Sequence, residues 1–194
     1  MSLTKKHGKI LLAVAKKSIE HGIEKNQPLE VEPTDYAKEL REIMATFVTL
    51  ETHNSLRGCI GTLTAIRPLV SDVAYHAYAA AFSDPRFPGL QREELSYLDI
   101  HISILSKPEP MAFDSEEHLI QQLRPGVDGL ILIDGWHQGT FLPAVWESLA
   151  EPRDFLRHLK QKAGLEPNHW SDTVEVQRYT TESINLPSLN ENQH

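Results

Sequence analysis

Two short segments of this chain hold residue types that could do chemistry. The first is LRGCIGT, Leu56 to Thr62, where the single cysteine, Cys59, lies between Gly58 and Gly61 with Arg57 two residues before it. A thiolate is a nucleophile or a redox group, and a nearby guanidinium favours that form. Residues two apart in a regular strand share a face, so Arg57 is expected to bring its charge to Cys59. Two glycines inside a strand lose much backbone entropy and pack nothing, so they should admit something close, either a ligand or another backbone. The plain alternative is that Cys59 is a small buried hydrophobe, because cysteine is among the most buried residue types. A cysteine nucleophile also wants a base, and none is adjacent. His53, His101 and His137 could approach only through folding.

The second segment is SDPRFPGL, Ser83 to Leu90. Asp84 can cap its own loop, and Pro85 and Pro88 restrict the backbone on either side of Arg86. A guanidinium held on a stiff loop suits a carboxylate or phosphate, because its fork donates two parallel hydrogen bonds. The competing reading is an internal Asp84–Arg86 staple. The candidate set is therefore Cys59, Arg57 and Asp84 for catalysis, with Gly58, Gly61 and Arg86 for binding a small anionic ligand. It requires the two segments to meet at a shared polar hollow.

Other site chemistries find little support. The ten histidines form no HExxH or HxH pattern, and one cysteine allows neither an internal disulfide nor a CxxC site. No Walker loop, GxGxxG or GxSxG is present. No metal and no intrinsic cofactor are expected.

The elements that must position these segments follow from periodicity. Residues 4–21 read as an amphipathic helix, with Gly22 as its stop. Residues 24–33 read as a linker, and 36–41 as a short helical turn. Ala45 to Glu51 and Leu56 to Thr64 read as a hairpin turned at His53–Ser55, with LRGCIGT opening the return arm. Leu69 to Phe82 is the clearest helix, its alanines allowing close packing. Leu98 to Ser106 alternates as a half-buried strand. Asp114-x-x-Glu117 resembles a capping box for a short helix to Leu123. Gly129 to Ile133 is apolar on both faces, as a central strand is, and Asp134-Gly135 with Gly139 brackets a turn before Thr140 to Leu142. Pro152 to Ala163 reads as a helix stopped by Gly164, and Val174 to Thr180 as the final strand. Short links between strands favour antiparallel pairing and an α+β fold.

The chain has 194 residues, 27 acidic and 19 basic, for a net charge of −8. With 24% charged and 40% hydrophobic residues it is an ordinary globular sequence rather than a disordered one. An acidic chain is repelled on average by nucleic acid, although Arg57, Arg67, Arg86 and Arg92 could form a local basic patch. No run is long and apolar enough to span a membrane, and the N-terminus lacks the features of a cleavable leader, so a cytoplasmic location is expected.

Taken together, LRGCIGT, FSDPRFPGL, EEL with ISILSKPEP, GVDGLILI, GTFLPAVWE, and KAGL followed by a tryptophan resemble the AMMECR domain family. This family includes protein A of the AmmeMemoRadiSam set. The resemblance runs from about His7 to Thr181. It implies one domain over residues 7–184, with a flexible tail at 185–194. It further implies an α+β fold whose mixed, mostly antiparallel sheet is flanked by helices, with a larger and a smaller lobe around a cleft. The positions the family pattern marks are Arg57, Gly58, Cys59, Gly61, Asp84 and Arg86, and the resemblance places them in that cleft. It also implies work alongside a Memo-like protein and a radical S-adenosylmethionine enzyme. One cysteine cannot ligate the cluster of such an enzyme, so this chain is not that enzyme. The turn DGWHQGTF departs from the family pattern, which leaves Trp136 and His137 outside the site set. An enzyme component or ligand-binding protein is the leading expectation. A non-catalytic adaptor and an RNA- or nucleotide-interacting protein are the alternatives.

Overall fold

The computed structural model describes residues 3–185. Four helices, α1 (Lys5–Lys25), α2 (Leu69–Phe82), α3 (Glu116–Gln122) and α4 (Pro152–Lys162), accompany eight strands. The strands are β1 (Ala45–Thr52), β2 (Ser55–Gly61), β3 (Leu98–Leu105), β4 (Glu109–Pro110), β5 (Gly129–Asp134), β6 (His137–Phe141), β7 (Glu175–Tyr179) and β8 (Thr181–Asn185). The α+β class is as expected, but the strands divide into two four-stranded sheets, ordered β2-β1-β3-β8 and β4-β7-β5-β6. The chain accordingly falls into a larger unit, up to Leu105 and again from Glu182, and a smaller one, Ser106–Thr181. The final strand expected at 174–180 is followed by a further one, β8. The tail expected from residue 185 lies outside the described residues except for Asn185, which ends β8.

In the larger unit, α1 starts where the Thr4 hydroxyl accepts the His7 N–H (3.2 Å) and His7 Nδ1 accepts the Thr4 N–H (3.5 Å). The helix passes through Gly22 and stops at Asn26, whose left-handed backbone (φ 54°) closes the last turn. Gly22 is therefore not a stop. A Cβ there would collide with the Phe82 and Tyr78 rings of α2, so its bareness sets how closely the two helices pack. Gly22→Ala should lower stability by about 1–2 kcal/mol, although helix propensity alone favours alanine by about 1 kcal/mol. Chemical denaturation decides between the two signs.

The inner face of the first sheet, including Val48, Leu50, Ile100, Ile102 and Ile104, shares one core with α1 and with the alanine-rich α2. The β1–β2 hairpin turns through His53 and Asn54, both at positive φ (52° and 59°), as a two-residue turn matching strand twist requires. Residues of the opposite face, Phe47, Thr49, Cys59, His101 and Ser103, are only half buried.

The smaller unit has its own core, centred on Trp146 stacked on Phe155 (ring centroids 3.8 Å apart) with Leu119, Leu130, Leu132 and Leu159. The indole N–H of Trp146 donates to the Asp128 carbonyl at 2.7 Å, satisfying the polar edge of a buried ring. The cap of α3 is Ser115, which accepts the His118 N–H at 3.1 Å, one residue later than the expected Asp114. Gly139 lies within β6 rather than in the turn, pressed against the α4 end at Ala163.

Candidate functional site

Strand β2 brings Cys59 opposite Thr49 of β1, and Thr49 lies opposite His101 of β3. The three form one row across the sheet on its half-buried face. The Thr49 hydroxyl donates to the Cys59 sulfur at 3.2 Å. His101 stands two strand spacings from the thiol, roughly 10 Å, so it is no direct base for it. Its Nε2 is buried without a hydrogen-bond partner among the described residues, with Glu51 nearest at 3.4 Å. His53 stacks on Tyr97 instead, and His137 belongs to the smaller unit.

The proline-bounded loop meets this strand directly. The Asp84 carboxylate accepts the backbone N–H of Cys59 at 2.9 Å. The same carboxylate accepts Arg86 Nε (3.0 Å), Arg86 Nη2 (2.7 Å) and the Arg86 backbone N–H (3.1 Å). Asp84 is thus buried with four donors on two oxygens. The hydrogen bond from the Arg86 side chain, helped by the two backbone N–H groups, holds its carboxyl well below the usual carboxylate range against the opposing effect of burial. Such a group stays ionised and orients its neighbour rather than shuttling protons. The Arg86 guanidinium is raised by the same hydrogen bond, and the charge of Asp84 and the nearby Cys59 sulfur act in the same direction. Its side chain stays 55% exposed, with Nη1 uncommitted among the described residues. The staple and the presented guanidinium are thus one arrangement.

Arg57 behaves differently from expectation. The register of β2 against β1 slips at this point: Leu50 pairs with Gly58 and Glu51 with Leu56, so Arg57 is the extra residue of a bulge. Its fork binds Glu94 (Nε to Oε1 2.6 Å, Nη2 to Oε2 3.0 Å), which draws the Glu94 carboxyl below its ordinary value. The guanidinium linked to the Cys59 strand is instead that of Arg86, through the shared Asp84 carboxylate. The third nitrogen of Arg57, Nη1, is buried and finds no partner among the described residues. Both guanidinium groups lie near the Phe87 ring, at 5.9 Å for Arg57 and 5.5 Å for Arg86.

The two glycines admit protein rather than leaving space for a ligand. A Cβ on Gly58 would strike the Ala80 carbonyl oxygen of α2, and one on Gly61 the Phe47 ring and the Thr46 carbonyl. The close approach they permit is that of strand to helix and of strand to strand. Thr49 is a site residue outside every quoted motif, and Phe87 and Glu94 lie within SDPRFPGL and EEL without having been assigned a role there. Only the strand alternation of β1 and the acidic capping pattern after the loop could have pointed to them. Among the described residues, no three His, Cys, Asp or Glu side chains are grouped so as to hold a metal ion. No helix of the described residues is long and apolar enough to cross a membrane.

A family model described as AMMECR1 matches residues 12–184. A protein of Methanothermobacter thermautotrophicus is 38% identical over 173 residues, covering 88% of each chain. A protein of Thermococcus gammatolerans is 38% identical over 186 residues, covering 90% of this chain and 88% of its own. The crystal structure of the uncharacterized protein PH0010 from Pyrococcus horikoshii superimposes with a TM-score of 0.84 at 35% identity, covering 93% of this chain and 92% of that one.

Proposed function

This chain belongs to the AMMECR1 family, and we propose that it serves as an enzyme component whose Cys59 thiol acts on a small substrate carrying an anionic group. The observation that carries this reading is the tie from the Cys59 backbone N–H to Asp84 and on to Arg86. It ties the backbone that carries the thiol and a half-exposed guanidinium to one carboxylate, although Cys59 and Asp84 are 25 residues apart. Arg86 would hold the anionic group through its uncommitted Nη1, and Asp84 would orient Arg86. In the proposed setting the chain is cytoplasmic and works with a Memo-like protein and a radical S-adenosylmethionine enzyme.

Alkylation rates test the site. Iodoacetate and iodoacetamide differ by one negative charge, and their rate ratio at native Cys59 is compared with the ratio in the urea-unfolded chain. The folded protein should favour iodoacetate by about tenfold relative to that reference, equivalent to about 1.4 kcal/mol of attraction. Arg86→Gln should remove the preference, returning the rate ratio to that of the unfolded chain. A thiol that resists both reagents until the chain unfolds defeats the proposal. A non-catalytic adaptor is the second reading, favoured by the distance that keeps His101 from acting directly on the sulfur. Unchanged function of Cys59→Ser in the source cells would select it.

A further inference from the structure

The smaller unit carries a concavity lined by none of the residues around Cys59. Its volume is about 530 Å³, within the range of small-ligand sites. One wall is the β5–β6 hairpin tip and the other is the segment following α4. Trp136 sits on the two-residue turn closed by the Asp134–His137 pair and is 91% exposed. So large an apolar face left in water is unusual, and here it borders the concavity.

The walls carry two carboxylates, Asp134 and Glu166, and the lining Thr173 and His169 donate to the first of them. Asp134 accepts the Thr173 hydroxyl (2.5 Å), His169 Nε2 (2.6 Å) and the Ser171 hydroxyl (2.9 Å). Those bonds, Thr173 first, hold its carboxyl down at about 2, so it is ionised at neutral pH. Glu166 is exposed and has no ion-pair or side-chain hydrogen-bond partner among the described residues. His137 Nδ1 lies 3.1 Å from the Ala163 carbonyl, which can only accept. The ring therefore carries its proton there, and the neutral form leaves Nε2 as an acceptor. The carbonyl end of α4 adds the negative pole of a helix dipole. None of the lining residues is a lysine or an arginine.

We infer that this concavity binds a guanidinium group, stacked on the Trp136 indole and donating to Glu166 and to His137 Nε2. A planar cation with several N–H donors satisfies all three features at once, through cation–π stacking and a forked bond to carboxylate. A trimethylammonium group would leave the acceptors without donors. The guanidinium could belong to a free metabolite or to an arginine of a polypeptide, and the experiment separates the two.

The full-length protein is titrated with N-acetylarginine amide while the three tryptophan indole N–H signals are followed by NMR. The Trp136 signal should shift saturably, with a dissociation constant on the order of 1–10 mM. N-acetylcitrulline amide, which keeps the shape without the charge, should bind at least about tenfold more weakly, as should N-acetyllysine amide. Trp136→Ala and Glu166→Gln alter exposed side chains and should leave the fold intact. For Trp136→Ala the readout is the arginine compound's own line broadening, and both variants should weaken binding by at least about tenfold. A pentapeptide with central arginine that binds more tightly than the amide assigns a polypeptide source, and equal affinity assigns a small molecule. The inference is overturned by no saturable shift at 50 mM ligand, by equal binding of the citrulline compound, or by unchanged binding to Trp136→Ala.

Discussion

Asp84→Asn is expected to destabilise the protein by about 2–3 kcal/mol and to abolish the charge preference of Cys59 alkylation. The carboxylate accepts four hydrogen bonds from Cys59 and Arg86 and is almost fully buried. An amide of the same shape must aim its N–H₂ at one pair of those donors, leaving buried donors facing a donor. Breaking a buried ion pair by removing one partner costs about 3–5 kcal/mol, and the half-exposed Arg86 moves this case just below that range. Because the folded carboxyl is held below its unfolded value of about 3.9, its contribution is complete above that pH. It is lost as the pH falls further, toward and through the depressed folded value. The stability gap between wild type and Asp84→Asn should thus be constant from pH 7 to 5 and shrink below pH 4. Urea denaturation at a series of pH values measures it. A variant within about 0.5 kcal/mol of wild type at pH 7 would show that the latch carries no load.

Gly58→Ala should cost about 3 kcal/mol or more, and Gly58→Val should prevent folding. The new methyl, fixed directly to the β2 backbone, would occupy the space of the Ala80 carbonyl oxygen of the α2 backbone. Neither can rotate away as a side chain could, so the strand and helix must separate. Overpacking of this kind typically costs about 1–3 kcal/mol, and a backbone–backbone collision lies at the top of that range. The control is Gly89→Ala, where the added carbon meets only the Phe82 ring at an ordinary 3.6 Å. That variant should stay within about 0.5 kcal/mol of wild type. If Gly58→Ala matches it, the glycine is not retained for packing. The ligand-admitting reading of LRGCIGT would then return.

Local pattern carried much of the fold. The alternation of Leu98 to Leu105, the apolar run of β5, the alanine face of α2 and the left-handed Gly164 after α4 are each properties of neighbours along the chain. Local pattern misleads where a residue has two local uses and a distant contact chooses between them. Gly22 can end a helix or thin one, and the rings of Tyr78 and Phe82, more than 50 residues away, made it the second. Arg57 shares a face with Cys59 only in an unbroken strand, and the bulge opposite Leu50 and Glu51 released it to Glu94.

From the sequence alone came the identity of the motifs, the stiffness of the loop around Arg86, the residue class of the thiol and the α+β class of the fold. Backbone propensities and side-chain chemistry are set within a few residues. Which groups pair was decided in three dimensions: Asp84 with the Cys59 amide as well as with Arg86, Thr49 with the sulfur, and Arg57 with Glu94. Hydrogen bonds and ion pairs depend on ångström separations between segments. Those separations exist only after the sheet register and the helix approach are in place.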